Sequence, residues 1–165
     1  MPCGQTYAQS RMCLEYSNAS MYALDAAIQA REGAEMIFEA MIADDEAPAR
    51  VELRNQLEDT GRVKVVAEAV SFPEAVAKIV RGGLDVVFLD WDIADPSSPI
   101  LKEALPKVEH PPLIVFMSAY AEYEPEAFGV KPLCHLAKPT DRKALEACIK
   151  TIEHRHLELI ERRAR

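Results

Sequence analysis

Five side chains of the sequence have types and places that suit joint chemistry: Asp44, Asp45, Asp90, Ser118 and Lys138. Three carboxylates suit a hard divalent cation, which prefers oxygen ligands. A hydroxyl and an ammonium beside them suit a phosphoryl group, whose oxygens accept charge-assisted hydrogen bonds. Each group lies at or just past the end of an apolar run that reads as a buried strand. Met36 to Ala43 runs into Asp44-Asp45, and Val86-Val87-Phe88-Leu89 closes on Asp90. Leu113 to Met117 ends at Ser118, and Leu133-Cys134-His135-Leu136 comes just before Lys138-Pro139. In an open parallel α/β sheet, the C-terminal ends of the strands form the edge where ligands bind. Four strands would therefore deliver all five groups to one place.

The elements between these strands are helical by their punctuation. Pro48 opens a helix where its missing N–H costs nothing, Val51, Leu53 and Leu57 supply its apolar positions, and Gly61 stops it. Val63 to Ala67 is a β-rich run. Ser71 with Glu74 three residues on resembles a capping box, and Ala75, Val76, Ile79 and Val80 form the buried stripe of the helix that follows, up to Gly82-Gly83. A loop rich in proline and serine, Asp95 to Pro99, leads to a short helix ending near Val108. A short acidic helix is expected over Glu122 to Phe128, and a last helix starts near Thr140. Its stripe of Leu145, Cys148, Ile149 and Ile152 is continued by Leu157 and Ile160 through a charged stretch. Five β–α units without an internal repeat predict a parallel sheet with helices on both faces.

These units make up one domain over residues 36–152, preceded by an extension over 1–35 and followed by a helical overhang over 153–165. The extension is polar at first, with one helix expected from Ser20 to Ala34. At 165 residues, 49% apolar and 28% charged, the chain reads as a soluble globular protein of ordinary domain size. No apolar stretch approaches the ~20 residues of a membrane span. The N-terminus lacks the basic and apolar regions of a signal peptide. Cys3, Cys13, Cys134 and Cys148 show no CxxC spacing, and Cys134 and Cys148 lie in apolar surroundings as reduced core residues would. A cytoplasmic location is expected. The net charge of -8 argues against direct binding of a nucleic-acid backbone.

Taken singly, the site residues have plainer readings. Asp44-Asp45 would be a helix cap and a solvated acid, Ser118 a strand-end cap, and Lys138-Pro139 a turn. His154 and His156 are two apart and do not share a helix face. Together and in order, the motifs "IADDEAPAR", "VVFLDWDI", "IVFMSAY" and "HLAKP" resemble the receiver domain of two-component response regulators. The stretch "SAYAEYEPEAF" is most similar to receivers of the LytR/AlgR class, which normally carry a C-terminal DNA-binding domain.

The resemblance implies a flavodoxin-like, doubly wound sheet of five parallel strands in the order 2-1-3-4-5. It implies that Asp90 accepts a phosphoryl group from a sensor histidine kinase or phosphotransfer protein, and that Asp44, Asp45, Asp90 and the backbone carbonyl of Asp92 hold Mg²⁺. Ser118 would hydrogen-bond the phosphoryl group, Lys138 would pair with it, and the Lys138-Pro139 bond would be cis. Such a protein catalyses only its own aspartyl phosphorylation and dephosphorylation. Its fourth helix, fifth strand and fifth helix would form the face through which relatives dimerise.

Two departures stand out. His135 takes the place of the aromatic residue that swings inward with the hydroxyl residue, and the run after Asp90 has its proline displaced and lacks the family's glycine. They motivate a different reading, a receiver-like module that binds partners without phosphorylation. A Mg²⁺-dependent phosphatase using Asp90 as nucleophile shares the chemistry but lacks an evident substrate-binding segment.

Overall fold

The computed structural model describes residues 36–94, 100–119 and 129–163. The extension before Met36 with Cys3 and Cys13, the loop Asp95 to Pro99, the acidic helix expected over Glu122 to Phe128, and Arg165 lie outside the described residues. From Ile37 onward the chain forms one compact unit.

Its strands are β1 (Phe38–Ala43), β2 (Val63–Ala69), β3 (Val86–Asp90), β4 (Leu113–Ser118) and β5 (Cys134–Ala137). All pair in parallel, in the order β2-β1-β3-β4-β5. Central β1, β3 and β4 are almost wholly buried, as expected of apolar strands covered on both faces, whereas edge strand β2 alternates buried and exposed residues at its start. The helices are α1 (Ala47–Glu58), α2 (Phe72–Arg81), the one-turn α3 (Ile100–Ala104) running into a 3₁₀ turn, and the long α4 (Arg142–Arg163).

The chain steps outward from β1 to β2 and then returns past β1 to β3. With right-handed crossovers, that reversal sends α1 and α2 to opposite faces. On one face Met41, Val87, Leu89, Ile114 and Phe116 pack with Phe72, Ala75, Val76 and Ile79 of α2 and Leu101 of α3. The alternate strand residues Ala40, Ile42, Val86, Phe88, Val115 and Met117 are equally buried, as are Leu53 and Leu57 of α1 and Leu145, Cys148, Ile149 and Ile152 of α4. A fully buried side chain of this size contributes about 1.5–3 kcal/mol.

Two stripe positions differ from expectation. Val51 is 57% exposed, because it lies two residues from Leu53 and so about 200° around α1. Val80 is 53% exposed, and Phe72 takes its place in the buried stripe of α2. The cap of α2 is reciprocal but wider than a capping box. Ser71 Oγ accepts from the Glu74 N–H at 3.4 Å, while the Glu74 carboxylate accepts from Val70 N–H at 3.0 Å rather than from Ser71.

Candidate phosphoryl and metal site

The five groups singled out in the sequence converge at the C-terminal edge of the sheet. Asp44 follows β1 directly, and its N–H donates to the Ala69 carbonyl at the end of β2, 3.0 Å away. Its Oδ1 accepts from the Glu46 N–H at 2.8 Å, which folds the loop toward α1. Asp90 is the last residue of β3, and its Oδ1 accepts from the Asp92 N–H at 3.1 Å. Ser118 closes β4, and its carbonyl accepts from the Lys138 N–H at 2.8 Å, so β4 and β5 deliver the hydroxyl and the amine side by side. The Lys138-Pro139 bond is cis.

Asp44 is 1% exposed, Asp90 2% and Ser118 0%, while Asp45 faces solvent. Lys138 Nζ lies 2.6 Å from Asp44 Oδ2 and 2.7 Å from Asp90 Oδ2, bridging the two buried carboxylates. Buried charges need such pairing, since a lone one would be held out of water at a cost of several kcal/mol. The balance shows in the proton affinities. Burial pushes the Asp90 carboxyl above its ordinary range, against the Lys138 bond and the Asp92 N–H that hold it down, and the nearby Asp44 charge pushes it further. Burial pulls the Lys138 ammonium down, but its bonds to Asp44 and Asp90 outweigh that and leave it raised.

A carboxylate oxygen from each of Asp44, Asp45 and Asp90 lies within 4.8 Å of the other two. Ligands on opposite sides of a Mg²⁺ are about 4 Å apart, so this all-oxygen set fits such an ion bound directly or through water. Among the described residues it is the one carboxylate, imidazole and thiol cluster with that convergence. Asp92 is exposed and reaches the site through its backbone.

His135 sits on β5 in register with Phe116 of β4 and is partly buried, which lowers its proton affinity. Trp91, next to Asp90, meets the Phe116 ring edge to face with centroids 5.3 Å apart. One contributor escaped the sequence reading. Arg50, on the first turns of α1, donates from Nη1 to the Asp44 carbonyl at 2.8 Å and from Nε to Glu68 at 3.0 Å. It thus ties the acidic loop to β2, and only its place six residues past Asp44 hinted at the contact. Beside the site, a groove of about 310 Å³ is lined by Glu46, Pro48, Leu53, Met117, Lys138 and Pro139 among others.

Residues 40–150 match the model of the response regulator receiver domain family. The sensory transduction protein LytT of Bacillus anthracis is 33% identical over 114 residues, covering 69% of this chain and 46% of LytT. The transcriptional regulatory protein LytR of Staphylococcus aureus strain N315 is 29% identical over 113 residues, 68% of this chain and 46% of that protein. The chain thus spans about half the length of the curated relatives it matches. Among solved structures, the REC domain of AraT, a response regulator from Geobacillus stearothermophilus, superposes with a TM-score of 0.61 at 29% identity, covering 75% of this chain and 99% of that one.

Proposed function

The chain belongs to the response regulator receiver domain family, and from that premise we propose that it takes a phosphoryl group onto Asp90, with Mg²⁺, from a sensor histidine kinase or phosphotransfer protein. The observation that carries this reading is the buried Asp90 held beside Asp44 and Asp45, with Lys138 Nζ bridging Asp90 and Asp44. In the transfer, an Asp90 carboxylate oxygen attacks phosphorus in line, the bond to the donor nitrogen breaks, and the donor imidazole leaves with the bond's electron pair. Asp44, Asp45 and Asp90, with the Asp92 carbonyl, would hold the Mg²⁺, which when bound would offset the negative charge gathering in the pocket. Lys138 then turns from the carboxylates to a phosphoryl oxygen, and the Ser118 hydroxyl donates to another.

Ser118 and Lys138 contact a group that exists only after transfer, so the ends of β4 and β5 have a differential interaction with the phosphorylated state. His135, next to both strands' ends, would follow Ser118 as the second member of the switch. The face around β5 and the last helix is then the surface offered to a partner or to a second copy. The negative net charge makes this chain a poor nucleic-acid ligand by itself. A cytoplasmic setting fits a kinase partner of this type. Among the described residues, no helix is long and apolar enough to cross a membrane.

The test is intact-mass spectrometry after acetyl phosphate, with and without Mg²⁺, alongside Asp90→Asn. The expected result is a base-labile adduct of one phosphoryl group that needs Mg²⁺ and is lost in the variant. A folded protein that forms no adduct, and whose stability beryllofluoride leaves unchanged, would instead be a receiver-like interaction module.

A further inference from the structure

At the opposite edge of the sheet from the acidic pocket, where β4 and β5 begin, lies a trench of about 740 Å³. Leu105 of the 3₁₀ turn, Leu113 of β4, Leu133 just before β5 and Leu159 of α4 supply its apolar walls. A second cavity of about 280 Å³ adjoins it and shares Pro111, Leu113 and Leu159. Space of that size and lining is typical of sites for small organic ligands. The transfer at Asp90 uses none of it.

The charge of this trench runs against that of the chain. Net charge is -8, yet among the described residues the larger cavity is lined by Lys131 and Arg155 and by no acid. The smaller one adds Arg163, His110 and His156, and its one acid, Asp85, already accepts from the Glu39 N–H at 2.8 Å. Lys131 is exposed, and Arg155 gives one of its five N–H donors to Glu158 at 2.7 Å. An anionic group is thus the complement of the cations, and an apolar body that of the walls.

The backbone of the trench decides between an extended peptide and a hydrocarbon. Pro106, Pro111, Pro112 and Pro132 have no N–H to offer. The Leu113 N–H donates to the Asp85 carbonyl at 2.9 Å, and the Leu133 N–H to the Ile114 carbonyl at 2.7 Å. A peptide laid here would find few main-chain donors for its carbonyls, whereas a hydrocarbon needs none. We propose that the trench binds a long-chain carboxylate, with its chain on the leucine and proline walls and its head on Lys131 and Arg155. Four prolines of fixed φ stiffen the walls beforehand, which lowers the ordering cost of binding.

The test titrates dodecanoate, below its micelle concentration and with EDTA present, into the full chain by calorimetry, beside acetate and dodecyltrimethylammonium. One equivalent of dodecanoate should saturate the chain and raise its urea midpoint. Acetate, without the apolar body, should show no saturation, and the cationic amphiphile should bind about tenfold or more weakly than dodecanoate. Lys131→Glu, at an exposed residue, should weaken dodecanoate about threefold to tenfold in a chain that stays folded. Leu159→Asp, which puts a carboxylate into the apolar wall, should weaken it about tenfold or more. No saturable binding, equal binding of both amphiphiles, or an affinity that Lys131→Glu leaves unchanged would overturn the site. A dimer in sedimentation that dodecanoate leaves intact and Leu159→Asp splits would give the trench to a second copy of the chain instead.

Discussion

At Lys138, one ammonium answers two buried carboxylates, and the pocket's metal-free stability rests on it. Removing that charge leaves Asp44 and Asp90 facing each other out of water. Lys138→Met should therefore lose about 2–4 kcal/mol in urea denaturation with EDTA present, and added Mg²⁺ should recover part of it. Equal stability with and without the lysine would mean that water already reaches both acids. His135 sets a pH effect of known sign. Its folded proton affinity is lowered by burial from the ordinary value of 6.5, so below that value the unfolded chain binds the extra proton. Its contribution to stability is thus complete above 6.5 and is lost as pH falls through that value toward the lower folded one. His135→Phe should flatten the wild type's loss of stability as pH falls below 6.5, measured by urea midpoints. An unaltered pH profile would locate the effect elsewhere. All five chemical groups were legible in the sequence because each follows an apolar strand. Arg50 was not, since its contact is with a backbone carbonyl that no residue type announces.

Among the elements, α1 does more than cover the sheet. Through Arg50 it holds the loop that carries Asp44, and Arg54 joins the same network by donating to Glu68 at 2.6 Å. The chain thus fixes the acidic pair from the side, as partners of metal ligands commonly do. Arg50→Met should weaken Mg²⁺ affinity about 10-fold or more, read as quenching of Trp91, the sole tryptophan. Unchanged affinity in a folded variant would mean that β1 alone positions the pair. Strands were easy to read because β1, β3 and β4 are buried on both faces and carry no polar residue until they end, apart from Glu39. Helix faces were harder. Val51 and Val80 are apolar by type, but their angular place on α1 and α2 turns them outward, and a pattern of residue types blurs positions at the rim of a stripe.

For the molecule as a whole, the tail of α4 decides how far the folded body extends. Charge after Glu153 suggests an overhang, and the sequence offers no way to tell a projecting helix from one laid along the sheet. In the structure, Glu153 pairs with Arg62, and the His156 ring meets Phe38 of β1 edge to face at a centroid distance of 5.3 Å. Leu159 lines two cavities at the opposite edge of the sheet from the acidic site, together with Pro111 and Leu113. The residues from Arg155 to Glu161 are all partly buried, so this last stretch covers the N-terminal ends of the strands. Several half-buried side chains, each worth up to about 1 kcal/mol, then stabilise the domain from below. A chain ended after Ile152 should unfold at lower urea, having lost about 2 kcal/mol. Its Asp90 should still accept a phosphoryl group from acetyl phosphate, because the tail's partners Arg62 and Phe38 lie at the other end of β1 and β2 from the pocket. Equal midpoints for the two chains would show that the tail lies on the body without supporting it. Loss of phosphorylation in a truncated chain that stays folded would mean that the two ends of the sheet are coupled.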